Sequence, residues 1–327
     1  MKAIRINQTG GPEVMQLENI EKPAPKEGQV LIKIAAVGIN FADLAQREGT
    51  YLTRTHTPTT PGFEAAGTVE ALGPGVAAPP VGTRVVAFVE GAYAEYALAN
   101  ANSVIPIPAQ LDFVQAAALP VQGITAYQLL HDAAHLQQGQ SVLVHAAAGG
   151  VGTLAVQLAK LAGAAPVIGT ASSQEKLHMV RQLGADAAIN YTEADWVEQV
   201  KQATNGQGAD IILEMVGGSI ADQSLQCLAP FGHMVVFGAA SGKITQFSGI
   251  QLMYKNQTIT GYWLTAWMSQ RPQAVAYALT QLIQYFAQGQ IKVIVGQTYP
   301  LEQAAQAHQA IANRQTTGKV VLTVGAD

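Results

Sequence analysis

Cysteine is almost absent from this chain. Cys227 is the only one in 327 residues, which excludes an intrachain disulfide and any zinc site built from several thiolates. Charge is scarce too: Asp, Glu, Lys and Arg make up 12% of the residues, with a formal net charge of -4. No basic block is present, so nothing points to nucleic acid as a partner. Met1 to Thr9 lacks the apolar core of a signal region and alternates like a strand, so a cytoplasmic protein is expected. Residues 141–159 form a long uncharged stretch, but a short strand, a glycine turn and Lys160 argue against a membrane span. There is no internal repeat and no low-complexity tract. What is abundant is apolar surface, at 49% of residues, together with 32 glycines. That combination suits a compact α/β protein of about two domains.

The chain is organised around Ser141-Val-Leu-Val-His-Ala-Ala-Ala-Gly-Gly-Val-Gly152 and the apolar run to Leu161. Ser141 to His145 is short, apolar and β-branched, as a buried strand is. Ala146 to Gly152 is a turn of small residues, and Val151 to Leu161 has helical spacing. A helix that begins at a glycine turn directs free N–H groups and the positive end of its dipole at one spot. Gly149, Gly150 and Gly152, around Val151, remove the Cβ atoms that would keep a pyrophosphate away. Ala147 replaces the first glycine of the dinucleotide-binding fingerprint. Strands at 166–170, 186–190, 209–216 and 231–238 alternate with helices at 174–183, 193–204 and 220–228. This pattern predicts a doubly wound parallel sheet.

Residues 1–110 differ in texture. Ala3–Ile6, Met15–Ile20, Val30–Ile34, Ala65–Leu72, Thr83–Phe88 and Ala92–Leu98 alternate as strands between Gly- and Pro-rich turns. Asp112 is placed to cap a helix ending at Leu119, and 123–134 is a second helix. Pro272–Ala287 reads as a long helix with proline in its first turn, followed by strand, helix (302–313) and strand (319–324).

Five segments together carry a family resemblance: Val37-Gly-Ile-Asn-Phe-Ala-Asp43, Pro61-Gly-Phe-Glu-Ala-Ala-Gly67, Gly91-Ala-Tyr-Ala-Glu-Tyr96, His145-Ala-Ala-Ala-Gly-Gly-Val-Gly152 and Thr316-Thr-Gly-Lys-Val-Val-Leu322. Over its full length the chain resembles the medium-chain dehydrogenase/reductase superfamily, and within it the zinc-free NADPH:quinone oxidoreductases, the ζ-crystallin-like branch. The resemblance implies an α/β architecture with a GroES-like, mostly β catalytic domain (1–122 and 267–327) and an inserted Rossmann domain (123–266). It also implies a cleft between them for nicotinamide and substrate.

Metal is not expected. In zinc-dependent members a cysteine ligand stands where this chain has Asn40, and a histidine ligand where it has Phe63. Neither an amide nor a phenyl ring replaces them. Without a Lewis acid, the chemistry shifts from alcohol oxidation to hydride delivery onto an acceptor that is already electrophilic, such as a quinone or an enone. NADPH is the expected cofactor. No acid that could hold a ribose 2′-OH lies between Gly152 and Glu175, whereas Ser172, Ser173 and Lys176 offer donors and positive charge to a 2′-phosphate. Thr125 is expected near the nicotinamide end. The resemblance adds Asn40 near the nicotinamide ribose and substrate, and Tyr51 as a pocket residue able to donate to the reduced oxygen or simply to line the wall; Tyr51, Asn40 or water is expected to stabilise that oxygen. It also adds Tyr191 near the adenosine and the loops at Val216, at Phe237-Gly238 and at Tyr262-Trp263-Leu264. Asp43 is expected to accept structural hydrogen bonds, and no role falls to the seven histidines. A second pocket tyrosine of some relatives is Ala45 here. Quinone reduction leads, with enal or enone C=C reduction and a non-enzymatic crystallin-like cofactor binder as alternatives. The β-branched and aromatic edge at 258–264 predicts a homodimer.

Overall fold

A computed structural model describes residues 1–325. Two compact units emerge, Met1–Gln122 with the C-terminal segment from Val293, and Gly123–Lys292. The chain therefore returns to the first unit at Val293 rather than at 267. The reason is the long helix that follows: it buries Val275, Ala278, Leu279 and Leu282, and a Cβ on Gly123 would lie 2.9 Å from Leu282.

The first unit starts with an antiparallel pair, β1 (Lys2–Ile6) and β2 (Met15–Asn19). Strands β3 (Gln29–Ile39), β4 (Glu64–Leu72), β5 (Arg84–Phe88), β6 (Tyr96–Asn100) and β7 (Val104–Pro106) contribute to a seven-stranded sheet. β3 runs five residues beyond the predicted Ile34 because it is the hub, pairing with β4 and β6. At its far end Gly38 allows close approach: a Cβ there would meet Glu64 Oε1 at 2.6 Å and Lys319 Cε at 2.7 Å. Helix α1 (Phe41–Glu48) follows β3 directly, and α2 (Phe113–Ala117) is capped by Asp112, whose carboxylate accepts from Gln115 N–H at 2.7 Å.

Helix α3 (Pro120–Gln128) begins three residues before the expected start and ends in a π-helical turn, Leu129–Ala133. The second unit then winds β8 (Val142–Val144), α4 (Gly150–Leu161), β9 (Val167–Ala171), α5 (Gln174–Gln182), β10 (Ala187–Asn190), α6 (Trp196–Ala203), β11 (Ala209–Glu214), α7 (Ser219–Ser224) and β12 (Leu228–Val236). Helix α8 (Gly249–Lys255), β13 (Thr258–Gly261), α9 (Leu264–Gln270) and α10 (Pro272–Ala287) complete it. The sheet is parallel throughout, in the order β10-β9-β8-β11-β12-β13. This is the doubly wound dinucleotide-binding order, reversing between its first and fourth strands. Ile168, Ile189, Trp196, Ile212 and Met234 form much of its core.

β14 (Val295–Pro300), α11 (Ala304–Ala312) and β15 (Lys319–Thr323) close the first unit, with β15 antiparallel to β3. Their apolar positions join one core with Ile32, Val37, Leu44 and Tyr93. Among the described residues, no helix is long and apolar enough to cross a membrane.

Candidate functional site

In an open parallel sheet, ligands bind beyond the carboxyl ends of the strands. The second unit gathers its sequence-expected residues there, one group per strand. The glycine turn follows β8, Ser172 and Ser173 follow β9, and Tyr191 follows β10. Val216 follows β11, Phe237 and Gly238 follow β12, and Tyr262, Trp263 and Leu264 follow β13. Thr125 is the exception. It lies in the middle of α3.

Gly149 is the N-cap of α4 and provides no capping side chain. The helix thus presents its first-turn N–H groups, from Gly150, Val151 and Gly152, without a side-chain lid. Gly152 is required by the turn itself. A Cβ there would run into Ala146 O and would lie 2.6 Å from Ala147 Cα, so backbone would have to move. Ala147 at the first fingerprint position is fully buried, and its methyl would sit 2.8 Å from a Cβ on Gly169. A small residue is needed there, and alanine meets that need. His145, at the end of β8, is pinned in the core. Ser224 Oγ donates to Ile220 O at 2.7 Å, so it accepts from His145 Nε2 at 2.8 Å, and Nδ1 accepts from Thr170 Oγ1 at 2.9 Å. Burial pushes this imidazole down to about 4.

At the end of β9, Ser173 caps α5 by accepting from Lys176 N–H at 3.3 Å. Its hydroxyl hydrogen remains available for an anion. Glu175 is exposed in the first turn of α5 and does not stand at the strand end. Beyond β11, the buried Glu214 carboxylate accepts from Val216 N–H at 2.8 Å and Gly217 N–H at 3.0 Å through Oε1. Burial raises its pKa against those two bonds. Glu214 thereby shapes the Val216 loop, where Gly217 and Gly218 both take positive φ. Beyond β13, Tyr262 is buried and stacks on Trp267 with ring centroids 6.0 Å apart.

In the first unit, Asn40 caps α1 and is buried in a charged cluster. Lys319 Nζ donates to Asn40 Oδ1 at 2.7 Å and to Glu64 Oε1 at 2.6 Å, and Asn40 Nδ2 donates to Glu64 Oε1 at 2.8 Å. Glu64 Oε2 accepts from Val121 N–H at 2.8 Å in the first turn of α3, where the helix dipole favours an anion. Asn40 N–H donates to Asp43 Oδ2 at 2.8 Å, and Tyr93 donates to the same oxygen at 3.1 Å. Asp43 is thus the structural acceptor expected, although desolvation pushes it up to about 7.

The network continues through His308. Arg47 can only donate, so His308 Nδ1 accepts from Arg47 Nη1 at 3.1 Å and Nε2–H donates to Tyr93 at 2.9 Å. The imidazole is therefore neutral, and burial with Arg47 beside it depresses it to about 3. Tyr51 lies outside this buried cluster, half-exposed in the turn after α1. Among the described residues, no group of three or more His, Cys, Asp and Glu is arranged to hold a metal.

Glu64, Lys319, Glu214, Gln128 and His308 were not singled out from sequence. Glu64 and Lys319 stand in apolar strand runs, and a lone charge inside such a run demands a partner. That signal was present without its geometry. Nothing local marks Gln128 or His308.

The fold and site together define a two-unit oxidoreductase scaffold with a GroES-like unit and a Rossmann unit. Residues 26–109 match the family described as alcohol dehydrogenase GroES-like domain, and residues 150–282 the family described as zinc-binding dehydrogenase. The chain is 39% identical to the quinone oxidoreductase of Rattus norvegicus over 326 residues, covering 98% of this chain and 97% of that one. Escherichia coli quinone oxidoreductase, solved in complex with NADPH, superposes with a TM-score of 0.92 at 36% identity, over 99% of this chain and all of the other. A mycobacterial protein complexed with NADPH superposes with a TM-score of 0.93 at 36% identity and the same coverage. The chain belongs to the quinone oxidoreductase branch of the medium-chain dehydrogenase/reductase superfamily.

Proposed function

We propose that this protein is a zinc-independent reductase that transfers a hydride from NADPH to a quinone. The observation that carries the reading is the full-length kinship with quinone oxidoreductases, on a chain whose uncapped, glycine-started α4 offers its N–H groups to a pyrophosphate. Bound NADPH supplies the hydride, from C4 of its nicotinamide. The chain does the rest. Gly149 to Gly152 hold the pyrophosphate, Ser172, Ser173 and Lys176 hold the 2′-phosphate, and Tyr191 lies along the adenosine. The loops at Val216, Phe237-Gly238 and Tyr262-Trp263-Leu264 line the path, with Thr125 at its nicotinamide end.

Tyr51 carries a phenol O–H for the oxygen that gains the proton. Asn40 has both ends of its amide committed to Lys319 and Glu64, so it orients neighbouring groups rather than donating to the reduced oxygen. The same commitment supports zinc independence. The polar ground beside Asn40 already holds a cation, the Lys319 ammonium, and Phe63 has no ligand atom. A homodimer fits the free edge of β13 and the exposed Ile250, Met253 and Tyr254 on α8. A cytoplasmic location fits a chain whose single thiol is buried and unpaired.

The test is a substrate panel: NADPH oxidation with 1,4-benzoquinone and larger quinones, set against 2-alkenals and enones. Quinones should be reduced with much the higher kcat/KM. A clear preference for alkenals would transfer the reading to C=C reduction, and tight NADPH binding without any turnover would favour a non-enzymatic binder.

A further inference from the structure

Gln128 is the last residue of α3 and is fully buried. Its Oε1 accepts from the Tyr262 hydroxyl at 2.8 Å. Thr125 stands one turn earlier on the same helix. The phenol donates, and Gln128 presents its carbonyl oxygen. The Gln128 Nε2 group is left with no partner.

An orphaned buried amide donor is a net cost to the folded state, so this polar pair is a poor way to stabilise a core. A phenyl ring and a leucine would fill the same space without that cost. Three further features place the pair near ligand chemistry. Tyr262 stands just beyond the carboxyl end of β13, its N–H bonded to Val236 O at 2.9 Å, beside the end of β12. Its ring stacks on Trp267, over which the Arg271 guanidinium lies 5.0 Å from the ring centroid. Gln128 abuts the π-helical turn Leu129–Ala133, a deformation that marks functional positions more often than ordinary helix does.

We infer that Tyr262 and Gln128 are positioning residues for the nicotinamide half of the cofactor. Gln128 anchors the phenol, and the phenol in turn fixes the course of the Tyr262-Trp263-Leu264 segment. The inference rests on the NADPH reading above and deepens it. Gln128 need not touch the cofactor; both residues act through the segment after β13.

The experiment compares two ligands by fluorescence titration or calorimetry, NADPH and 2′,5′-ADP, which has the adenosine and 2′-phosphate but no nicotinamide. Tyr262→Phe should weaken NADPH about five- to tenfold, the worth of one oriented hydrogen bond, and leave 2′,5′-ADP within about twofold. Gln128→Leu should give a similar loss, and Gln128→Leu with Tyr262→Phe should lose little beyond Tyr262→Phe alone. Equal losses for both ligands would make Tyr262 a structural residue and overturn the inference. So would unchanged NADPH affinity, or fully additive losses in the double variant. Wild-type protein that binds neither ligand would overturn the NADPH reading itself, and that is seen before any variant is compared.

Discussion

Lys319 Nζ lies 2.7 Å from Asn40 Oδ1, which brings the last described strand of the chain onto the N-cap of its first α-helix. The ammonium is almost wholly buried and shares Glu64 Oε1 with the same asparagine. Burial lowers the lysine pKa, and Glu64 works against that. An ion pair held this way is informative mainly when one partner is removed.

Lys319→Met should destabilise the protein by about 3–5 kcal/mol, because Glu64 would keep a buried charge without its counter-ion. Adding Glu64→Leu should recover part of the loss. Urea denaturation measures both. A loss below about 1 kcal/mol in the single variant would show that the pair contributes little.

Stability should fall as pH drops from 7 toward 4. His308 and His145 have folded pKa values of about 3 and about 4, below the ordinary histidine value of about 6.5. The unfolded chain therefore binds more protons in that window, and both contributions fade on acidification. Asp43 acts in the opposite sense. Its folded pKa of about 7 exceeds the carboxylate value of 3.8, so its contribution is greatest in acid and is lost as pH rises toward 7. Two histidines outweigh one aspartate. Melting temperature against pH tests this, and His308→Gln should flatten the acid limb. An unchanged slope in that variant would remove His308 from the account.

The parallel sheet, its glycine turn and nearly every strand after Ser141 were legible because buried β-branched runs and glycines are local signals. α8 and α9 were not, because neither buries a residue and so neither shows a one-sided apolar pattern. The site was legible where backbone chemistry dictates it, as at Gly152. It was opaque where residues distant in sequence meet. Asn40 was expected near substrate on resemblance, yet its amide is shared between Glu64 and Lys319, and only the fold reveals that.

NADPH should bind at least about tenfold more tightly than NADH, the lower end of what one charge-assisted hydrogen bond contributes. Lys176→Ala should weaken NADPH far more than NADH, and added salt should narrow the gap. Fluorescence titration of both cofactors is the measurement. An equal loss for both would assign Lys176 a structural part.

Exposed Met253 and Tyr254 on α8, which precedes the edge strand β13 in the chain, should be covered in solution. Light scattering at micromolar concentration should give a dimer mass, and Met253→Lys with Tyr254→Asp should shift it toward monomer. A wild-type monomer would leave that edge without the partner proposed for it.

The most direct test of the central claim is steady-state quinone reduction with each nicotinamide cofactor, in the presence and absence of EDTA. The account predicts turnover of 1,4-benzoquinone with NADPH, a kcat/KM at least about tenfold lower with NADH, and no change on adding EDTA. No quinone turnover with NADPH, or activity abolished by EDTA and restored by zinc, would contradict it.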